Sequence, residues 1–405
     1  MAKEISKPTR VLMLLENNTY RQDGRVRNEA LALTRAGYFV SVISPRPATG
    51  GPFREDINGV RVYYFPAPPE LGSFVGYVLE FGYATLIMAL LSLVVLLRDG
   101  FDVLHTHNPP DTFFWLAALY KLFGKKFVFD QHDLSPEMYN ARTEAGPDGA
   151  SGNRLVTAML EWCERQTCRV ADWVIATNGS YKALEITRNK VPPERISIVR
   201  NGPNLAKFNP CPPDPALRKR ATTLLAYVGE MGPQDGIDYL MRALHQLVHV
   251  LGQPDVLCIL MGDGAMLPTL KLMAQQLRIE NNVWFTGRVS QDVVIQYVSS
   301  VDICVDPDPS NPYNDRSTMI KIMEYMALCK PIVAFDLPEH RVSAGDAAIY
   351  AQPNDELAFA RHIQTLSADA EQCKRMGQIG RQRVESELAW CHQEKHLLET
   401  YRSFV

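Results

Sequence analysis

The stretch Ser317–Phe335 reads STMIKIMEYMALCKPIVAF. Its apolar spacing predicts an amphipathic helix that runs into Lys330-Pro331, with a buried strand, IVAF, directly after it. A helix feeding a buried strand over so short a break is half of a βαβ unit, the element of a parallel sheet. Lys321 and Glu324 lie one turn apart in the first half of that helix. A helix N-terminus offers unpaired N–H groups and the positive end of a dipole, which suits a phosphate. Lys321 adds a movable positive charge, and Glu324 can accept hydrogen bonds from vicinal sugar hydroxyls. Phosphate beside sugar points to a nucleotide sugar. The plain alternative is a surface helix with an i,i+3 Lys/Glu pair.

Outward from this stretch, strand-like runs alternate with helical periods. In the first half they begin at Arg10–Leu15 and reach Trp173–Ala176. A Pro-rich break, PNLAKFNPCPPDP at Pro203–Pro215, reads as a linker. The alternation restarts at Leu224–Val228 and continues through Ile303–Val305. The expected fold class is therefore α/β: two Rossmann-like, doubly wound parallel-sheet domains facing a ligand cleft. The expected domains are 1–205 and 206–387, with a final helix over 388–405 packing back on the first.

Composition narrows the function. The net charge of −3 over 405 residues gives no basic excess for nucleic acid. None of the eight Cys forms a CxxC pair, so reduced thiols of a cytosolic protein fit better than a disulfide framework. VLMLL near the start is too short for a signal peptide. Phe74–Leu97 is long enough to span a bilayer and carries one charge, Glu80. It lies between two expected strands of one sheet, Arg61–Phe65 and Asp102–His105, which a spanning helix would place on opposite sides of a membrane. A helix with one buried face, resting the other on lipid, satisfies both constraints.

The first half carries FVFDQHDLSPEMY at 127–139. Its strand ends in Asp130, His132 and Asp133, and a His beside carboxylates can be held in one tautomer to present a ring N–H. Upstream, His105 and His107 are expected on opposite faces of their strand, which leaves no metal pair. Asp111 reads as a helix cap. In NNTYRQDGRVR at 17–27, Gly24 permits close backbone approach and Arg25 could reach an anion. No G-x-G-x-x-G is present, which argues against a dinucleotide. In the second half, Gly262 and Arg288 follow strands. Asp306-Pro-Asp308 is read as a loop and not as a metal site.

Taken in order, these strings resemble the family-4 retaining glycosyltransferases of GT-B fold. The matching strings are DGRV at 23–26, HNPPD at 107–111, DQHDLSPE at 130–137, RNGP at 200–203, GDG at 262–264, FTGR at 285–288 and KIMEYMA at 321–327. They are most similar to members that build bacterial exopolysaccharide, capsule or O-antigen units. The resemblance implies a nucleotide-diphosphate sugar, UDP first among them, with a lipid-linked or glycan acceptor. It implies neither a metal nor a cofactor; the peripheral place on the cytoplasmic membrane face is expected from Phe74–Leu97. It assigns His132, Asp130 and Arg316 to the reacting sugar. It assigns Gly24, Arg25, Arg200, Gly229, Gly262, Arg288, Ser317, Thr318, Met319, Lys321 and Glu324 to the donor. Three departures stand out: Arg316 occupies the usual position of a Glu, and Glu230 and Asp235 replace two usual diphosphate cations. Compensation by Arg316, Lys321, Arg200 and Arg25 is one reading. A nucleotide-sugar epimerase and a catalytically impaired sugar-binding subunit are the alternatives.

Overall fold

The computed structural model describes residues 8–67, 74–145 and 152–404; over 74–81 only the helical backbone is described, so Glu80 lies outside the described side chains. The residues form two compact units. One comprises 1–136, 154–200 and 393–405, and the other 137–153 and 201–392.

The first unit is built on β1 (Arg10–Leu14), α1 (Gly24–Arg35), β2 (Phe39–Pro45), β3 (Arg54–Ile57) and β4 (Val60–Phe65). There follow α2 (Phe74–Arg98), β5 (Val103–His107), α3 (Phe114–Lys121) and β6 (Lys126–Gln131). After α4 (Ser135–Glu144), within which the chain leaves the unit, come α5 (Arg154–Val170), β7 (Trp173–Ala176), α6 (Gly179–Thr187) and β8 (Ile196–Ile198). The sheet order is β3-β4-β2-β1-β5-β6-β7-β8. Strand order reverses between β1 and β5, the switch point beside which open α/β sheets bind ligands. The central strands are buried on both faces, as the unbroken apolar runs require.

One strand breaks the parallel pattern. β3 pairs antiparallel with β4. Asn58 and Gly59 turn between them with φ of 54° and 85°, the left-handed pair a two-residue hairpin demands. The Asn-Gly dipeptide was the available signal for this hairpin, which the sequence reading did not anticipate. α2 is one continuous helix over the long apolar stretch. Ala84, Met88, Leu91 and Val95 bury one face, while Leu86, Leu90, Leu93 and Leu97 are exposed on another. No described helix is long and apolar enough to cross a membrane.

The second unit runs α7 (Pro215–Arg218), β9 (Thr223–Val228), α8 (Ile237–His245), β10 (Val256–Met261), α9 (Leu267–Gln276) and β11 (Val283–Gly287). It continues with α10 (Gln291–Ser300), β12 (Ile303–Asp306), α11 (Ile320–Ala327), β13 (Ile332–Phe335), α12 (Pro338–Ala344) and β14 (Ala348–Ala351). Two helices, α13 (Glu356–Ser367) and α14 (Ala370–Arg383), close it, and within α15 (Trp390–Phe404) the chain returns to the first unit. The sheet is wholly parallel, in the order β11-β10-β9-β12-β13-β14, with its switch point between β9 and β12. The helix and strand expected over Ser317–Phe335 are α11 and β13. The helix begins at Ile320, so Ser317, Thr318 and Met319 form the approach to it.

Candidate active site

In the second unit, the carboxyl ends of β9, β10 and β11 enclose a cavity of about 290 Å³. Gly229, Gly262 and Arg288 line it, with Val228, Met261, Val289 and Val294 and two acids, Glu230 and Asp263. Gly229 and Gly262 have φ of 159° and 149°. A Cβ on Gly262 would meet the carbonyl oxygen of Gly229 at 1.8 Å, so both strand ends must stay bare to approach this closely. Arg288 is exposed at the rim. Apolar side walls around bare backbone suit a flat heterocycle recognised through main-chain groups.

Glu324 lies on α11 and is part-exposed, yet burial of its carboxyl pushes it up to about 7. Among the described residues no neighbouring charge or donor contributes to that shift, which leaves the carboxylate as acceptor for a ligand. Lys321, one turn earlier, is differently placed. It is 8 % exposed, and its Nζ donates to both oxygens of Asp308 at 3.1 and 3.2 Å. It also lies 3.2 Å from Asp306 Oδ1 and 4.7 Å from the centre of the Tyr227 ring. Burial opposes its charge, but Asp306 and Asp308 raise its pKa well above the ordinary lysine value. Burial would also raise Asp306; Lys321 and His340 hold it below the usual range instead. Asp308 is pushed well up by burial and by Asp306. The expected phosphate cation is therefore already engaged by two carboxylates. The Asp-Pro-Asp string, which runs from the end of β12 into a loop, is a buried acidic clamp on Lys321.

Of the other departures, Asp235 and Arg316 bond to neighbours in the same unit, while the Glu230 side chain is exposed at the cavity. Asp235 accepts the Gly232 backbone N–H at 2.8 Å and so closes its own turn; burial, against the pull of Lys321, raises it to about 6. Tyr227 donates its hydroxyl to the Glu230 carbonyl at 2.7 Å, which ties that turn to the Lys321 cluster. Arg316 donates to the Pro312 carbonyl at 2.6 Å. Ser317 bonds the Tyr313 carbonyl and Thr318 the Glu339 carboxylate.

In the first unit, β5 and β6 lie in register with His107 opposite Asp130. His105 and His107 share one face and stack at 4.4 Å. The expectation of opposite faces fails because strand side chains alternate, which puts residues two apart on the same side. Asp130 accepts from His132 Nε2 at 2.8 Å and from His107 Nδ1 at 3.1 Å. Arg25 grips the same carboxylate with two bonds, at 2.9 and 2.7 Å, and donates to the Val199 carbonyl at 2.8 Å. Its Nε lies 3.1 Å from Glu29. Burial would raise Asp130, but Arg25 and the histidines hold it well below the carboxylate range. Glu29 goes the other way, raised well up by burial and by Asp130. Arg25 thus fixes Asp130, where an anion-binding role was expected of it. Because His132 gives its Nε2–H to Asp130, Nδ1 is the ring atom left to meet a substrate.

Gly24 is exposed in the first turn of α1 with open space beside it, while Asp23 caps that helix by accepting from Val26 N–H at 2.8 Å. The backbone N–H of Arg200 donates to Gln393 at 3.1 Å. Sequence reasoning missed Glu29, Tyr227, His340 and Tyr401. Tyr401 meets His105 Nδ1 at 2.7 Å from the far end of the chain. Only Glu29 left a local trace, as the i+4 partner of Arg25. Glu29, His105, His107 and Asp130 bring ligand-type atoms within 4.8 Å of one another, as do Asp306, Asp308 and His340. In each group a side-chain cation, Arg25 or Lys321, already stands among the acids.

Comparison with known proteins agrees with this geometry. The family described as glycosyl transferase 4-like domain matches residues 24–202, and that described as glycosyl transferases group 1 matches 222–369. The chain is 26% identical over 310 residues to the alpha-maltose-1-phosphate synthase of Mycolicibacterium smegmatis, covering 71% of this chain and 75% of that protein. Sucrose-phosphate synthase from Thermosynechococcus elongatus superposes with a TM-score of 0.81 at 19% identity, over 98% of each chain. Anabaena HepE in complex with UDP-glucose superposes with a TM-score of 0.72 at 16% identity, over 98% of this chain and 100% of that one. With both halves matched in order and the fold shared, the chain belongs to the family-4-type glycosyltransferases of GT-B fold.

Proposed function

We propose that the protein is a retaining glycosyltransferase that moves a hexosyl or N-acetylhexosaminyl group from a nucleotide-diphosphate sugar to a lipid-linked glycan acceptor, in the synthesis of a bacterial surface polysaccharide. The observation that carries the donor half is the cavity over β9–β11, with Gly229 and Gly262 held bare against each other. A nucleobase fits such a cavity, and UDP is the first candidate because HepE, of like fold, was solved with UDP-glucose. Glu324, its carboxylate left as acceptor for a ligand, is assigned to the ribose hydroxyls. Arg288 and Arg316 are the cations assigned to the diphosphate. His132, oriented by Asp130, is assigned to the transferred sugar. No protein nucleophile is required: the leaving phosphate takes the acceptor's proton while attack comes from the same face. The protein contributes positioning and charge neutralisation.

A panel of nucleotide sugars screened by thermal shift tests the donor half, since a ligand that binds only the folded state raises its stability. UDP-sugars should raise Tm, and Gly262→Ala should abolish the rise. A flat response to every nucleotide would overturn the reading. The engagement of Lys321 by Asp306 and Asp308, together with Glu230 and Asp235 at expected cation positions, favours one rival: a subunit that binds donor without transferring it. Donor binding without any product, over a panel of lipid-linked acceptors, would select that rival.

A further inference from the structure

We infer that the outer face of α2, α3 and α5 is a docking surface for a bilayer of anionic phospholipid. The three helices lie side by side. Ser92 on α2 bonds the Tyr120 hydroxyl on α3 at 2.7 Å, and Phe114 on α3 packs edge-to-face on Trp162 of α5 at 5.5 Å. Each turns large apolar side chains outward. On α2, Leu86, Leu90, Leu93 and Leu97 follow helical spacing, with Leu86 62 % and Leu97 86 % exposed. Trp115 and Leu119 continue the surface on α3, followed by Leu122 and Phe123 just past its end. On α5 it is formed by Leu155, Met159 and Trp162. Of the eighteen large apolar side chains exposed among the described residues, twelve belong to these helices and the turn after α3. Single exposed leucines are ordinary, but a surface concentrated on three adjacent helices marks an interaction site.

Charge decides the occupant. The segments 82–98, 114–126 and 154–170 expose Arg98, Arg154, Arg165 and Arg169. Their only acids are Glu161, half-buried, and Glu164, buried against Arg188. This bias stands out in a chain whose net charge is −3. Apolar side chains with aromatic rings, edged by cations and, within these described segments, free of exposed acids, match a surface of acyl chains under anionic headgroups. The inference deepens the membrane-borne acceptor proposed above, yet its test needs neither donor nor acceptor.

Vesicle co-sedimentation of the full chain provides that test, with phosphatidylcholine alone and with phosphatidylcholine mixed with phosphatidylglycerol. Binding should be at least tenfold stronger to the mixed vesicles and should weaken with added salt. Leu90→Gln with Leu93→Gln should cut it about tenfold while leaving the thermal shift by UDP-sugars unchanged. Should that pair fail to fold, Arg165→Glu with Arg169→Glu, exposed on α5, should produce the same loss. Equal binding to both vesicle types, or full binding by a folded variant, would overturn the inference. So would a dimer in solution that these substitutions dissociate, because a second copy would then be the occupant. Vesicle binding by a protein that never transfers sugar would remove the proposed function and leave this surface intact.

Discussion

The cluster around Arg25 in the first unit and the cluster around Lys321 in the second are built alike. Each lies at a carboxyl edge beside a reversal of strand order, and each surrounds one buried cation with two buried acids. In each, one acid is held ionised and the other is pushed towards its neutral form: Asp130 and Glu29 in the first, Asp306 and Asp308 in the second. A buried carboxylate in need of a counter-charge, and a second too close to ionise with it, account for both pairs. The difference lies in what completes them. Arg25 leaves Asp130 free to hold two histidines, so the His132 ring, its Nε2–H turned to Asp130, continues outward from the charge. Lys321 is covered by Tyr227, and His340 faces Asp306 from a fully buried position 3.5 Å away. The first cluster holds the His132 ring in one orientation. The second anchors α11, and with it Glu324.

The comparison breaks first on stability. Lys321→Met and Arg25→Met each strand buried acids, and each should cost about 3–5 kcal/mol by denaturant unfolding. Adding Asp306→Asn to Lys321→Met should recover part of the loss. If Lys321→Met left stability unchanged and lowered only UDP-sugar affinity, the lysine would belong to the donor and the likeness would fail. Next in size is turnover. His132→Ala should lower kcat by about 10²-fold, the low end for a positioned proton-bearing group, with nucleotide affinity intact. His340→Ala should leave the chemical step unaffected apart from any loss of fold.

A smaller effect should appear with pH. Glu324, pushed up to about 7, offers both oxygens as acceptors to a pair of hydroxyls only when ionised, so if it holds the ribose, affinity for UDP-glucose should rise as pH climbs through 7 and level off above it. Below 7 the gain should approach tenfold per pH unit, and Glu324→Gln should flatten the profile. In the free protein the sign reverses. An acid raised in the folded state contributes less stability as pH rises from its unfolded value near 4.5 towards 7. The smallest expected effect is none: with Arg25 and Lys321 standing among the ligand-type groups, activity should survive EDTA. Inactivation reversed by Mn²⁺ would mean that a metal displaces one of these cations.

The alternation of strands and helices, the break after residue 202 and the α11–β13 stretch were legible because they rest on local periodicity. The hairpin at Asn58-Gly59 was legible too, through its dipeptide, and went unread. The partners of the cations were not. Arg25 and Asp130 are 105 residues apart, and only the closing of the sheet brings them together. A cation near an expected phosphate site looks free in sequence, because the acids that would engage it are invisible until the topology is known. The acids around Lys321 went unread for that reason, although Asp308 is only 13 residues away.

Tyr401 reaches His105 from α15, and residues 393–405 belong to the first unit. On a ribosome this has a temporal consequence. Once Arg200 has been added, the whole of 201–392 must be made before Gln393, about 10–40 s at ~5–20 residues per second. Throughout that interval the nascent first unit lacks the helix that covers Tyr38 and His105, so the second unit can finish folding before the first. The part of the protein synthesised first is therefore the part matured last, and a chaperone attending this chain would have most to shield at its beginning.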